Sequence, residues 1–343
     1  MANLSLATKY RPKVLSEICE QDSIKTILEK YATEKNFGNS ALFTGPAGCG
    51  KTTAARAFAR QINNFNGNPI EIDGASNNGV ENVRDILVKA QQRAMDCEYK
   101  IFIIDECHAL SNAAWQAMLK ILEEPPKNTI FLFCTTDPQK IPNTILSRVQ
   151  RFDFKRISFD TIKNRLKYII NEENKLGENI TYTEEAISYI AKACAGGMRD
   201  GITSLDKCIG YSKNLTIESV VSALGSVDYN ILFKLTNSLI DCEESTVIDI
   251  IEKTYQDGAD LKQFVKQEIY FLLDIHKYIL FKNFDYIQIP DNYREDIERL
   301  IEGLQPKYIK YFLEECSKLS SNIKWESQVR QAVEIAFLDM CKD

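Results

Sequence analysis

A glycine-rich octapeptide at residues 45–52 constrains this chain more than any other segment. It reads Gly-Pro-Ala-Gly-Cys-Gly-Lys-Thr, follows an apolar run at 41–44, and precedes residues with apolar side chains at helical spacing. Glycines let the backbone curl so that its N–H groups converge, and the N-terminus of the next helix adds a positive dipole end. This context predicts a phosphate-binding loop rather than a chance glycine turn.

Two side chains of the loop carry the predicted chemistry. Lys51 would reach the β- and γ-phosphates of a nucleotide, and the Thr52 hydroxyl would be a ligand of Mg²⁺. The predicted nucleotide contacts of this segment are Gly45, Pro46, Ala47, Gly48, Cys49, Gly50, Lys51, Thr52 and Thr53.

A second motif follows the apolar run 101–104, which ends in Asp105 and Glu106. A buried strand that ends in two acids places Asp105 where it can hold the metal and Glu106 where it can orient or deprotonate a water. Alone, this pattern is equally compatible with solvated acids at a strand end, but the preceding phosphate loop favours the catalytic interpretation. His108, close behind, is equally well explained as a structural histidine.

Three further residues are candidates for the same reaction. Thr135 and Thr136 close the next apolar run, and one of their hydroxyls would contact the γ-phosphate or the attacking water. Arg148 follows Ser147 on the stretch that leads out of the sheet, and a permanently charged guanidinium suits a transferring phosphoryl group. A surface ion pair explains Arg148 equally well from spacing alone.

The order of apolar runs predicts the architecture. Short apolar runs alternate with helical patterns up to about residue 154, which predicts an α/β domain with a parallel sheet covered on both sides. After that point the apolar residues repeat only at helical spacing, for example in 261–281 and 308–319. We predict an α/β core at 1–159, a small helical domain at 160–227 and an all-α domain at 228–343.

Composition excludes several classes of protein. Ten cysteines occur without any CxxC pair, and only two histidines are present, so a zinc site has no local support. No signal sequence or membrane-spanning run is evident, which predicts a cytoplasmic protein without membrane partners. The net charge of −6 argues against a protein that coats nucleic acid. Residues 228–343 account for the acidic excess, whereas residues 1–160 are slightly basic, so a local DNA surface remains compatible.

Seven segments together resemble the AAA+ sliding-clamp loaders. The ATPase (gamma/tau) subunit of the bacterial DNA polymerase III clamp loader is the most similar, and the replication factor C small subunits share most of the features. The likeness is dense over residues 1 to about 210, while beyond about residue 228 it rests only on helical character and position. The segments are LATKYRP at 6–12, the phosphate loop, IEIDGASNNGV at 70–80, DECHALS at 105–111, LEEPP at 122–126, TTDPQK at 135–140 and SR at 147–148.

The resemblance implies an ATPase core, a lid and a C-terminal collar that assembles five subunits into a ring. It assigns Thr135 or Thr136 to sensor 1, Arg199 to sensor 2 of the lid, and Arg148 to a finger that enters the neighbouring subunit's ATP site. Tyr10, Arg11 and Pro12 would lie near the adenine. Helix N-termini would face DNA in a central channel, and the candidate contacts are Asn77, Asn78, Arg84, Ser111 and Asn112, with Arg93 as a further positive charge.

The implied function is ATP-driven loading of a sliding clamp onto primer–template DNA, with hydrolysis at subunit interfaces releasing the clamp for processive replication. ATP and Mg²⁺ are the implied cofactors, and the implied partners are other loader subunits, the clamp and DNA. The chain departs from the family in two places, because 61–69 is too short for the four-cysteine zinc module and Val149 replaces a cysteine. We also expect no tau-type tail after Asp343, as in a bacterial or phage-encoded short form.

Three other functions compete with this interpretation. Another AAA+ motor, such as a Holliday-junction branch-migration helicase, would lack the Ser-Arg pair in this context and the Glu-Glu-Pro-Pro turn. A DExH helicase needs two RecA-like domains, whereas the absence of strand-like runs after residue 154 leaves one. A scaffold subunit without activity is disfavoured because the phosphate loop, both acids and both arginines are present.

Overall fold

The computed structural model describes residues 4–94, 96–225, 227–287, 289–290, 293–302 and 306–341. These residues divide into two compact units, Met1–Asn171 with Ala193–Asp206, and Glu172–Lys192 with Lys207–Asp343. The predicted domain boundaries near residues 160 and 228 stay predictions. Within the part of the chain that the structure describes, no helix combines the length and apolar character needed to cross a bilayer.

The first unit contains the predicted parallel sheet. Its five strands lie in the order β2-β3-β4-β1-β5, and every neighbouring pair is parallel. In the second unit, the two-residue strands β6 and β7 also pair in parallel. The strands are β1 Ser40–Thr44, β2 Ile70–Asp73, β3 Lys100–Asp105, β4 Thr129–Thr135, β5 Gln150–Asp153, β6 Thr181–Tyr182 and β7 Asn214–Leu215.

Helices make up most of the remaining structure. They are α1 Leu6–Lys9, α2 Asp22–Glu34, α3 Lys51–Ile62, α4 Val80–Gln91, α5 Asn112–Glu123, α6 Asn143–Leu146, α7 Phe159–Lys175, α8 Glu184–Ala193, α9 Met198–Tyr211, α10 Ile217–Leu224, α11 Tyr229–Ile240, α12 Glu244–Gln256, α13 Leu261–Phe281, α14 Arg294–Glu302, α15 Pro306–Asn322 and α16 Val329–Met340. The predicted helix 261–281 is confirmed as α13.

The central strands are apolar on both faces because helices cover both sides of the sheet. Along β4, Leu132 packs with α2 and α3 on one side, while Phe131 and Phe133 pack with α4 and α5 on the other. Alternate side chains of a strand point to opposite faces, so a doubly covered strand becomes a continuous apolar run. The predicted α/β fold class is therefore confirmed for the first unit.

Two features of the strands differ from the sequence prediction. The edge strand β5 was not predicted, because Phe152 is its one buried residue and no apolar run marks it. The strands β6 and β7 follow residue 154, where strand-like runs were expected to stop. Each spans two residues, which is too short for a recognisable period.

Helices α11–α16 of the second unit pack around a shared apolar core. Several of these helices begin with a side-chain cap, because a carboxylate can accept hydrogen bonds from first-turn N–H groups that have no partner within the helix. Asp228 accepts from the Asn230 N–H and starts α11, and Asp260 accepts from the Lys262 N–H and starts α13. The predicted helical character of the C-terminal region is confirmed.

Candidate nucleotide site

The phosphate loop lies at the carboxyl edge of the sheet, between β1 and α3. Gly45 has φ +143°, and a Cβ there would lie 2.4 Å from the Phe154 carbonyl oxygen, so only glycine fits. Gly48 has φ +71°, and a Cβ there would lie 2.9 Å from the Gly197 Cα atom. Glycine at both positions therefore lets the loop pack closely against Phe154 and Gly197.

Lys51 lies inside the loop, where its ammonium group donates to the carbonyl oxygens of Gly45 at 2.8 Å and Pro46 at 2.7 Å. The residue is only 6% exposed although it carries a full charge. Burial of an unpaired charge is costly, so the two carbonyls and the loop hold the ammonium group in place. The lysine is thereby placed to neutralise a phosphate that enters the loop.

Thr52 and Asp105 meet across the ends of β1 and β3. The Thr52 hydroxyl donates to the Asp105 carboxylate at 2.8 Å, and both residues line the same cavity as Lys51. Because parallel strands end at one edge of a sheet, residues far apart in sequence converge there. Hydroxyl and carboxylate oxygens are ligands that Mg²⁺ prefers, so the pair fits this metal.

No group of three or more His, Cys, Asp or Glu side chains suited to a metal occurs among the described residues. A magnesium ion in a phosphate-loop site takes few protein ligands, since waters and phosphate oxygens supply the others. The arrangement at Thr52 and Asp105 therefore remains a suitable one for Mg²⁺.

Glu106 is oriented by a small hydrogen-bonded cluster. Its Oε2 atom accepts from the Thr136 hydroxyl at 3.0 Å and lies 3.2 Å from His108 Nδ1. His108 Nδ1 also lies 3.0 Å from the Thr135 hydroxyl, which accepts from the Asp137 N–H. The structure thus brings together the four side chains that sequence analysis had singled out separately, with Thr136 in direct contact with the acid.

A cavity of about 410 Å³ extends from the phosphate loop, a size suited to a nucleotide-like ligand. Polar and charged residues from the loop, β3 and α9 line part of it, and apolar residues line the rest. The polar or charged set comprises Arg11, Lys51, Thr52, Thr53, Arg56, Asp105, Glu106, Arg165, Arg199 and Asp200. The apolar set includes Ala7, Tyr10, Pro12, Ile18, Ile157 and Ile202.

The segment 194–200 closes one side of this cavity within the first unit. The Met198 N–H donates to the Gly48 carbonyl at 3.0 Å, and the Ile157 N–H donates to the Gly196 carbonyl at 3.1 Å. These bonds seat the start of α9 on the phosphate loop, so Arg199 lines the cavity. Arg199, which the sequence predicts to be sensor 2, therefore lines the same cavity as Lys51.

Two thiols also line the cavity. Burial raises the pKa of the Cys49 thiol, and Lys51 opposes this shift. Burial likewise raises the pKa of the Cys19 thiol, opposed by the nearby Arg165 and Lys25 side chains. Both thiols are therefore neutral near pH 7 and act as apolar lining.

Several predicted residues lie outside this lining. Gly45 and Pro46 contribute carbonyls to Lys51, while Thr135 and Thr136 reach the site through Glu106 and His108. The described residues that line the cavity do not include Arg148. Its guanidinium instead bonds Glu123 through Nε at 3.0 Å and NH2 at 2.7 Å, and donates to the Thr144 carbonyl at 2.6 Å.

The candidate DNA residues cluster at two helix N-termini. The Ser111 N–H donates to the Asn78 carbonyl at 3.1 Å, which joins the segment before α5 to the segment before α4. The Ser111 hydroxyl caps α5 by accepting from the Ala114 N–H, and Asn112 is exposed. Asn77 is tied to Asp73 by two hydrogen bonds, and exposed Arg84 pairs with Glu81.

Sequence reasoning missed several residues of the cavity, above all Arg165, Arg56 and Ile157. Arg56 lies four residues after Thr52, on the same face of α3, so helical spacing was a usable signal. Arg165 and Ile157 come from segments more than 100 residues after the loop, and no local motif marks them.

The fold was compared with those of solved protein structures. Thermotoga maritima RuvB, described as a Holliday junction branch migration motor, aligns with a TM-score of 0.52 at 20% identity, covering 67% of this chain and 79% of RuvB. At this identity the likeness concerns the fold alone. Together with the phosphate loop and the acids after β3, it defines a P-loop ATPase fold of the AAA+ class.

Three family models match consecutive parts of the chain. They describe the DNA polymerase III delta subunit at residues 67–158, the ATPase lid domain of the DNA polymerase III clamp loader subunit at 161–214, and domain III of DNA polymerase III subunits gamma and tau at 215–343. The chain belongs to the DNA polymerase III gamma/tau family of clamp-loader subunits.

Individual relatives agree with this assignment. DNA polymerase III subunit tau of Bacillus subtilis is 33% identical over 100% of this chain and 64% of the relative. The tau subunit of Escherichia coli is 32% identical over 74% of this chain and 42% of the relative. The chain thus spans about two fifths to two thirds of the length of these curated relatives.

Proposed function

We propose that this chain is the Mg²⁺-dependent ATPase subunit of a DNA sliding-clamp loader. ATP binding would drive its assembly on a clamp and primer–template DNA, and hydrolysis would release the loaded clamp for processive replication. The three consecutive family models support the class of machine. The convergence of Lys51, Thr52, Asp105 and Arg199 on one cavity is the observation that carries the ATPase proposal.

Within the cavity, each group has a proposed task. Lys51 and the loop N–H groups bind the phosphates, Arg199 adds a second positive charge, and the Tyr10–Pro12 segment lies against the adenine. Thr52 and Asp105 would hold a magnesium ion, which would supply charge neutralisation at the phosphate oxygens. Glu106 orients and deprotonates the attacking water, and Thr136 fixes the direction of its carboxylate, which supports Thr136 as sensor 1.

Arg148 has a task in a neighbouring subunit rather than in its own. The arginine does not line the cavity of its own chain; it follows α6 by two residues and pairs, partly exposed, with Glu123 at the end of α5. A guanidinium that enters another subunit's site would stabilise the charge of the transferring phosphoryl group. ATP hydrolysis would then depend on assembly, because an isolated subunit lacks the arginine of a neighbouring subunit.

The remaining partners follow from the family. The lid at 160–227 and the collar at 228–343 would join this chain to other loader subunits in a pentameric ring. Asn77, Asn78, Arg84, Ser111 and Asn112 would contact DNA phosphates without sequence preference, since the N-termini of α4 and α5 present N–H groups there. The proposed setting is the cytoplasm of a bacterium or of a phage-infected cell.

The test measures ATP hydrolysis by the chain, assembled with its loader subunits, with and without a sliding clamp and primed DNA. We expect stimulation by clamp and DNA together in the wild-type protein. Arg148→Ala should retain ATP binding and lose this stimulation, whereas Arg151→Ala, at a neighbouring exposed arginine, should retain both. Normal stimulation in Arg148→Ala would contradict the finger in trans.

A branch-migration motor is the alternative that the RuvB fold raises. That likeness is at 20% identity and carries only the fold, whereas the family models for lid and domain III match this chain directly. Movement of a four-way DNA junction by the purified protein, without stimulation by a clamp, would favour the alternative.

A further inference from the structure

Arg165 is a cation of the cavity that neither the motifs nor the proposed catalytic roles explain, and unlike Arg56, which pairs with Glu71, it contacts the N-terminal segment. It lies on α7 and lines the cavity together with Tyr10, Arg11 and Pro12. Its NH2 group donates to the Tyr10 carbonyl at 2.9 Å, which joins two segments 155 residues apart. The guanidinium carbon lies 5.0 Å from the centroid of the Tyr168 ring, one turn further along α7.

This arrangement is an aromatic and cationic cluster with three members. The rings of Tyr10 and Tyr168 meet edge to face, with centroids 6.5 Å apart, and Arg165 contacts both residues. A guanidinium can donate in its plane while its face stacks on a ring, which an ammonium group cannot do. The N-terminal segment is held a second time, because the Leu6 N–H donates to Asp206 at 3.0 Å.

The cluster lies among the residues that suit a base rather than a phosphate. Lys51, Thr52 and Asp105 belong to the loop and the strand ends, whereas the aromatic and aliphatic lining comes from the N-terminal segment and from residues after β5. A flat nucleobase is recognised by apolar and aromatic walls and a few placed polar groups. Arg165 is the residue that fixes the position of one such wall.

We propose that Arg165 is a positioning residue for the nucleoside half of ATP. It fixes the backbone at Tyr10 against α7, so that affinity for the adenosine portion is set separately from the phosphate loop. This inference rests on the proposed ATPase function and adds to it a residue for nucleoside recognition.

The experiment compares a nucleotide with a ligand that lacks the nucleoside. Binding of ATP, ADP and inorganic tripolyphosphate to the full chain is measured by calorimetry, for wild type and for Arg165→Met. We expect ATP and ADP to bind about tenfold more weakly to the variant, since a hydrogen bond and a cation–π contact are lost. Tripolyphosphate affinity should be unchanged.

Three further variants separate the explanations. Lys51→Ala should weaken ATP and tripolyphosphate alike, and Lys167→Met, on the same helix but outside the cavity lining, should weaken neither. Arg165→Lys should recover only part of the ATP affinity, because lysine retains the charge without the planar stack. Tyr168→Leu should weaken ATP and ADP binding less than Arg165→Met does, and should leave tripolyphosphate binding unchanged. This variant keeps the hydrogen bond to the Tyr10 carbonyl, so it tests the proposal even if Arg165→Met folds poorly.

Each contrary result has a definite meaning. Equal losses of ATP and tripolyphosphate affinity in Arg165→Met would make Arg165 a phosphate ligand and overturn the proposal. Unchanged ATP affinity in that variant would overturn it as well, while leaving the ATPase proposal intact. A wild-type chain that binds no ATP would overturn both.

Discussion

Glu106 and Glu268 are each held by a threonine hydroxyl, but in opposite surroundings. Thr136 donates to Glu106 at 3.0 Å at the edge of the sheet, where the glutamate side chain is 40% exposed. Thr236 donates to Glu268 Oε1 at 2.8 Å inside the helical core of the second unit, where Glu268 is 0% exposed. The second oxygen of Glu268, Oε2, has no hydrogen-bond partner.

The difference shows how burial changes the use of one side-chain pair. Glu106 lies at the edge of the nucleotide cavity, where a water molecule can reach its carboxylate. Burial raises the pKa of Glu268 to about 8, because a charge in the apolar core of the second unit lacks hydration. The first pair suits proton chemistry, whereas the second is a neutral acid near pH 7 that affects stability.

The largest expected effect is on catalysis at the sheet edge. Glu106→Gln retains the shape and one acceptor for Thr136 but removes the charge that activates water. We expect turnover of ATP to fall by about a hundredfold to ten-thousandfold, with ATP affinity unchanged. Single-turnover hydrolysis and calorimetric binding measure the two quantities. Glu34→Gln, at an exposed position on α2, is the control, and normal turnover in Glu106→Gln would exclude the base assignment.

The next effect concerns stability in the second unit. Glu268 has an ordinary pKa of 4.5, raised to about 8 in the folded chain. Below pH 4.5 both states hold the proton. Between 4.5 and 8 the unfolded state loses it while the folded state retains it, so the free energy of unfolding falls as pH rises, by at most about 1.4 kcal/mol per pH unit.

Glu268→Gln removes this fall because glutamine cannot ionise, and it can still accept from Thr236. Urea unfolding followed by circular dichroism at pH 5 to 8 should show a stability advantage of the variant that grows with pH. Glu326→Gln, at an exposed glutamate of the same unit, makes the same change in charge and should give a difference independent of pH. A pH-independent difference in Glu268→Gln would mean that Glu268 is charged in the core.

The local chemistry of the site was predictable from sequence because it depends on short spacing. Lys51 and Thr52 follow the glycines directly, and Asp105 ends a strand that must reach the same sheet edge as the loop. Glu268 also had a usable signal, since it lies four residues from both Phe264 and Leu272 and therefore shares their buried face. A charged residue at such a position was nevertheless not singled out.

Other features depend on tertiary packing that no local pattern reports. Arg165 lines the cavity because α7 lies against the N-terminal segment. In the sequence, its position among the apolar residues of α7 is like that of any partly buried lysine or arginine on a helix. The strand β5 forms because its backbone pairs with β1, although Phe152 is its one buried residue. The contact of His108 with both Glu106 and Thr135 likewise depends on the turn after β3, where Glu106 has a φ of +45°.

A smaller effect should follow from removing the hydroxyl that orients Glu106. Thr136→Val is nearly isosteric and leaves the carboxylate in place without its 3.0 Å donor. We expect turnover to fall about tenfold, in line with the loss of a hydrogen bond to a charged group, with ATP affinity retained. Thr33→Val, which removes an exposed hydroxyl on α2, should have no effect. A loss as large as that of Glu106→Gln would instead make Thr136 a contact of the reacting phosphate.

The smallest effect is expected at Glu123, a third carboxylate whose partner is a cation. Its side chain is 51% exposed, and that of Arg148 is 35% exposed, so water and salt screen the pair. Glu123→Gln should lower the free energy of unfolding by no more than about 1 kcal/mol, and less at high salt. Glu124→Gln, at the next residue, is the matched control for charge. A fall of several kcal/mol in the free energy of unfolding for Glu123→Gln, but not for Glu124→Gln, would show that partial exposure does not weaken this carboxylate pair. Exposure would then no longer explain the difference between Glu106 and Glu268.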